Sequence, residues 1–142
     1  KNPDYEFGHL EENPYRSVAT ISTHDMATLR GWWDEDAERT QRFYNYMLQK
    51  DGDAPHPMPG WLCEEVVARH LFCPSMLCLL SLQDWLSMDE QLRYPDADFE
   101  RINVPANPRH YWRYRMHLTI EQLMEQPALN EKILNLIKRS GR

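Results

Sequence analysis

A chain of 142 residues with 42% hydrophobic and 27% charged content is long enough to bury one core, and this mix excludes a disordered or low-complexity chain. A formal net charge of −6 argues against a general nucleic-acid binder, because phosphate attraction needs an excess of Lys and Arg, although basic residues do gather in "RHYWRYR" (Arg109–Arg115). No charged-then-apolar leader opens the sequence, and its longest apolar stretch is far too short to span a bilayer, so no membrane association is expected.

In chain order, residues 1–16 are polar, proline-punctuated and aromatic, a loop packed over a larger body. "SVATIS" (Ser17–Ser22) is small and β-branched and fits a short buried strand. His24 and Asp25 follow where that run stops. Local sequence favours a helix cap, supplied by Thr23 or Asp25, with half of a sugar-cutting site as the other reading of the His–Asp pair. From Asp34 to Lys50 the pattern is helical. Trp33, Ala37, Thr40, Tyr44 and Met47 recur at three- and four-residue steps, while Glu35, Glu38, Arg39 and Arg42 take the opposite side. Glu35, Asp36 and Glu38 read as a solvated helix start, and Trp32 and Trp33 as core. "DGDAPHPMPG" (Asp51–Gly60) is a loop, and Trp61 to Phe72 is a second helix with Leu62, Val66 and His70 on one side.

Apolar runs as in "PSMLCLLSLQDWL" suit a buried strand or a core helix, and the flanking Pro74, Ser75, Gln83 and Asp84 favour a short strand ending in a polar rim. Asp84 reads as a cap or a structural hydrogen-bond partner. "YPDADFERINVPANPRH" is a long connection without regular structure. Thr119 with Gln122 forms a capping box for a helix that Pro127 interrupts. Leu129, Ile133, Leu134 and Ile137 resume it, and Lys138 to Arg142 suit a helix C-terminus. The three cysteines, Cys63, Cys73 and Cys78, match no common zinc spacing and sit among apolar neighbours. They read as buried free thiols, which suits a reducing, cytoplasmic compartment. The six histidines lack a pair at HxxxH spacing, so neither a metal nor another cofactor is expected.

Strands alternating with helices imply parallel pairing, yet two strands are too few for a covered parallel sheet. "SVATISTHDMATLRGWW", then "LLSLQDWLSMDEQ", then "RINVPANPRHYWRYRM" followed by "TIEQLM" resemble, in this order, the C-terminal part of the 4-α-glucanotransferases (amylomaltases, or disproportionating enzymes) of glycoside hydrolase family 77. The similarity runs from about Pro14 to the C-terminus. "TLRGWW" and "DGDAPHPMPG" look most like the subgroup allied to plant cytosolic disproportionating enzymes.

The resemblance implies an α/β fold: the last βα units of a (β/α)8 barrel, an architecture needing about 250 residues by itself. Ser17–Ser22 would be the seventh strand and Met76–Leu82 the eighth, in one incomplete domain, predominantly helical as an isolated piece. It also implies a retaining transfer between maltooligosaccharides or other α-1,4-glucans with three carboxyl groups: a nucleophilic aspartate, a glutamate acid/base, and an aspartate that steadies the oxocarbenium-like sugar. The third matches Asp25. His24 matches a neighbouring sugar-binding histidine, and Asn103 a substrate-contacting loop position. The other two carboxyl groups would lie upstream of Lys1, so the isolated chain is expected to be inactive.

Ala106 stands where the family carries glycine, and "HYWRYRM" has tyrosine at one expected tryptophan. Apolar faces shaped against the rest of a barrel would be left exposed or covered by oligomerisation. The alternative reading is a helical binding or interaction module that carries no chemistry.

Overall fold

The computed structural model describes residues 6–142. It contains two short strands, β1 (Val18–Ala19) and β2 (Leu77–Cys78), which pair in parallel with Val18 opposite Leu77 and Ala19 opposite Cys78. Backbone bonds extend the ladder at both ends: the amide of Met76 donates to the carbonyl of Tyr15 (2.7 Å) and that of Leu79 to Ala19 (2.9 Å). The expected parallel pairing is present, but the strand expected at Met76–Leu82 stops at Cys78. The reason is a helix start: the Ser81 hydroxyl accepts from the Asp84 amide while the Asp84 carboxylate accepts from the Ser81 amide, opening a helix at Leu82. Ser81 is the cap, and Asp84 is its structural hydrogen-bond partner, the second of the two roles expected of it.

Three helices connect the strands: α1 (Leu29–Glu35), α2 (Ala37–Arg42) and α3 (Gly60–Phe72). The single helix expected over Asp34–Lys50 is corrected at both ends and in the middle. It starts earlier, at Leu29, because Thr28 is extended and its hydroxyl accepts from the Gly31 amide (3.4 Å). It breaks at Asp36, whose extended backbone (φ −150°) ends α1 while its carboxylate caps α2 through the Arg39 amide (3.0 Å). Past Arg42 the turn widens over Phe43–Met47, where the Leu48 amide reaches the Phe43 carbonyl. The loop after it is tied back onto α2, with Gln41 donating to the Gly52 carbonyl and accepting from the Ala54 amide.

Two of the three residues expected on the inner side of α3, Leu62 and Val66, are buried, together with Cys63, Val67 and Leu71. His70 is half-buried, its ring bonded to the Val66 carbonyl (2.8 Å). Helix α3 packs against α4 (Leu82–Ser87) and α6 (Pro127–Ser140), and α5 (Ile120–Met124) carries the expected Thr119–Gln122 capping box. Pro127 opens α6 at its first turn, where its missing N–H costs no helical bond. Beyond Gly141, in the left-handed region at φ 76°, Arg142 clamps the turn between α3 and β2 by donating to the carbonyls of Leu71, Cys73, Ser75 and Met76. The core runs from Trp33 through Met58, Leu62 and Val67 to Leu129 and Leu136. Each large side chain there contributes about 1.5–3 kcal/mol by leaving water. Cys63 and Cys73 are buried free thiols and Cys78 is a half-buried one.

Candidate active site at the end of the first strand

Past β1 the chain makes a tight turn in which the Met26 amide donates to the Thr23 carbonyl (3.1 Å). This turn presents His24 and Asp25 at the C-terminal end of a strand from a parallel pair. Neither Thr23 nor Asp25 caps the next helix, since Thr28 does that. Freed from a capping role, the Asp25 side chain faces outward, about half exposed like that of His24.

Asn103, 78 residues further along, closes on the same pair. Its side-chain amide donates to Asp25 Oδ1 (2.6 Å), and its backbone amide donates to the His24 carbonyl (3.1 Å). The second Asp25 oxygen lies 3.4 Å from His24 Nε2. The three residues singled out in the sequence thus form one cluster. Each of its two side-chain partners engages a different oxygen of the Asp25 carboxylate, and about half of that side chain stays exposed.

A buried layer beneath the cluster has no counterpart in the sequence reading. Arg30 and Glu100 form an ion pair with side chains only 5% and 2% exposed. The same guanidinium donates to the carbonyls of Tyr94 (2.7 Å) and Pro95 (3.3 Å), and Glu100 accepts from the Thr28 hydroxyl (3.0 Å). Gln83 donates to the Glu100 carbonyl (3.2 Å). Helix α1, the first turn of α4 and the 94–103 connection are thereby locked together, and that connection delivers Asn103. Burial pushes the Glu100 carboxyl above its ordinary range, against the opposing pull of Arg30 and Thr28. Burial does the same to Asp84, whose Oδ1 has no hydrogen-bond partner among the described residues.

Two clefts flank the turn. A small one of about 60 Å³ lies between His24, Met26, Thr28, Gln83, Glu100 and Ile102. An apolar one of about 410 Å³ is lined by Ile21, Met26, Trp32, Phe43 and Val66. Trp33 is fully buried, its indole N–H donating to Pro55, as the core role expected of it requires, whereas Trp32 is half-buried, packed edge-on against Phe43 at the margin of the core and lining the larger cleft. The aromatic ring beside His24 is Trp112, at 5.3 Å between centroids. Among the described residues no group of three metal-ligating side chains comes together, and no helix is long and apolar enough to cross a membrane.

In barrels of parallel strands the ligand site lies past the C-terminal ends of the strands, which is where the His24–Asp25–Asn103 cluster stands relative to β1. The family model for 4-alpha-glucanotransferase, glycoside hydrolase family 77, matches residues 1–120, and the chain belongs to that family of (β/α)8-barrel enzymes. The match begins at the first residue, ahead of the Pro14 expected from motifs. Over 140 residues the chain is 36% identical to the 4-alpha-glucanotransferase DPE2 of Oryza sativa subsp. japonica, covering 99% of this chain and 15% of that protein. It is 24% identical to the chloroplastic/amyloplastic 4-alpha-glucanotransferase DPE1 of the same plant, over 95% of this chain and 22% of that one. The 4-alpha-glucanotransferase of Aquifex aeolicus is also 24% identical, over 96% of this chain and 25% of that protein. The chain therefore spans between about a seventh and a quarter of these relatives.

Proposed function

We propose that these residues form the transition-state-stabilising part of a 4-α-glucanotransferase that moves α-1,4-glucan segments between maltooligosaccharides. The observation that carries this reading is the bond from Asn103 to Asp25, 2.6 Å long, beside His24 at the end of β1. In a retaining transfer, an enzyme carboxylate attacks the anomeric carbon as an acid protonates the departing glycosidic oxygen. The same group then deprotonates the acceptor hydroxyl that displaces the enzyme from the glycosyl intermediate. At both transition states the sugar ring gains positive charge.

Asp25 accepts hydrogen bonds from ring hydroxyls, and these strengthen as the ring becomes cationic, so the carboxylate favours the transition state over the ground state. His24 donates to a neighbouring hydroxyl. Asn103 fixes the Asp25 rotamer and reaches the same sugar. β1 and β2 then correspond to the seventh and eighth barrel strands, and the nucleophile and acid/base come from outside these 142 residues. The outward apolar side chains Val18, Leu77 and Leu79, each about half exposed, support a sheet that packs against further barrel elements.

The test is glucose release from maltotriose. In the full-length enzyme carrying this sequence, Asp25→Asn lowers kcat/KM by about three orders of magnitude or more, as loss of a transition-state contact does. The isolated 142-residue chain releases none. A near-normal rate for Asp25→Asn removes the carboxylate from the chemistry, and turnover by the isolated chain places the whole machinery within it.

A further inference from the structure

The cluster holds a ring but, as assigned so far, offers no flat apolar surface to one. A pyranose presents polar hydroxyls at its rim and C–H groups on its faces, and an aromatic face with negative quadrupole complements those C–H groups. Trp33 is sealed in the core, and Trp32 is edge-packed against Phe43. Trp112 is different. It is 65% exposed, and its indole lies against the outer imidazole of His24, tilted by 50°. What sets it apart from the other exposed rings is its place: it is the aromatic side chain in contact with His24, beside the Asp25 carboxylate.

The segment bearing it is anchored on both sides. Before it, the His110 ring bonds the Ile102 carbonyl (2.9 Å), one residue from Asn103. After it, the Tyr94 hydroxyl donates to the Arg115 carbonyl. Tyr111 is occupied by Arg113, whose guanidinium sits 5.2 Å over its ring. An open groove of about 500 Å³, lined mainly by polar atoms, runs along Trp112, Arg113, Tyr114 and Arg115.

We infer that Trp112 is a sugar-stacking platform that binds the glucose unit next to the one gripped by Asp25, with the cleft along residues 112–115 receiving the continuing α-glucan. This rests on the glucan-binding reading of the Asp25 cluster. The indole covers a C–H face, while Arg113 and Arg115 offer N–H donors to the hydroxyls at the rim. The role is in binding and chain-length preference.

The test is calorimetric titration of maltotetraose into the full-length enzyme in an Asp25→Asn background, which suppresses turnover. Adding Trp112→Ala or Trp112→Leu weakens binding about tenfold, the upper end of what one aromatic contact supplies. Trp112→Phe stays within about threefold, because a ring face remains. Affinities within twofold for both Ala and Leu overturn the inference, and so does a Leu variant that binds as well as Phe, since aliphatic cover alone would then suffice. If Trp112→Ala melts below assay temperature, the Leu and Phe variants decide the matter. Wild-type turnover by Asp25→Asn sinks the catalytic assignment of Asp25 and leaves this inference to the affinity ratios. Failure of the background protein to bind maltotetraose at millimolar concentration overturns it.

Discussion

Arg30→Met isolates the contribution of the buried layer. The substitution keeps an unbranched chain of similar bulk and removes the guanidinium that neutralises Glu100 and serves the Tyr94 and Pro95 carbonyls. Breaking a buried pair from one side strands the other charge and costs about 3–5 kcal/mol. Two carbonyls that lose a charged donor push the value towards the upper end, about 5 kcal/mol. The double variant Arg30→Met/Glu100→Leu strands no charge and recovers about half of that loss. Urea denaturation followed by tryptophan fluorescence reads both values.

A pH series sharpens the same experiment. Glu100 already titrates above its ordinary carboxyl value, and loss of Arg30 moves it higher. Between the unfolded and folded pKa values the native state then binds more protons than the unfolded chain. Stability of Arg30→Met therefore falls as pH rises through that window and recovers on acidification. Its deficit against wild type is larger at pH 8 than at pH 5. A cost below about 1 kcal/mol, a deficit independent of pH, or a double variant worse than the single would each refute this account. The functional consequence is a looser Asn103, because the ion pair anchors the connection that delivers it to Asp25.

Two further outcomes are expected of the packing. Asp84 is buried with Oδ1 unpartnered and titrates above its ordinary value, so its charged form weighs on the fold as pH rises through that window. Asp84→Asn, which carries no charge, therefore gains stability relative to wild type between pH 4.5 and 7.5 in urea melts, and a constant difference would count against a buried charge. A Cβ at Gly60 would stand 2.7 Å from the Met88 carbonyl oxygen, a backbone atom with little room to move. Gly60→Ala accordingly costs about 1–3 kcal/mol, and a neutral melting temperature would mean that the α3–α4 contact yields freely.

What could be read from the chain alone was local. The capping pair Thr119–Gln122 acts within three residues, so the side chain that closes that helix start is visible in the string. Helix α3 announces itself through the recurrence of Leu62 and Val66, and the parallel partners β1 and β2 through apolar runs on either side of helical segments. The break at Asp36 was legible in principle, since Asp is a preferred cap, but the apolar spacing runs through it undisturbed. The strand at Met76–Leu82 was overextended because an apolar run does not reveal where Ser81 starts a helix.

The motif around His24 and Asp25 pointed to the site, and the resemblance to a family brought in Asn103. Their contact joins residues 78 apart through a connection with no periodicity, and the Arg30–Glu100 pair joins residues 70 apart in the same way. Trp112 lay in plain sight within "RHYWRYR", where nothing distinguishes a ring held against His24 from one in the core. Backbone geometry and short-range hydrogen bonds follow from neighbours along the chain, so pattern suffices for them. Which distant side chains share a buried charge or flank a carboxylate depends on how the helices pack and where the loops return, and that is settled only by the folded arrangement in space.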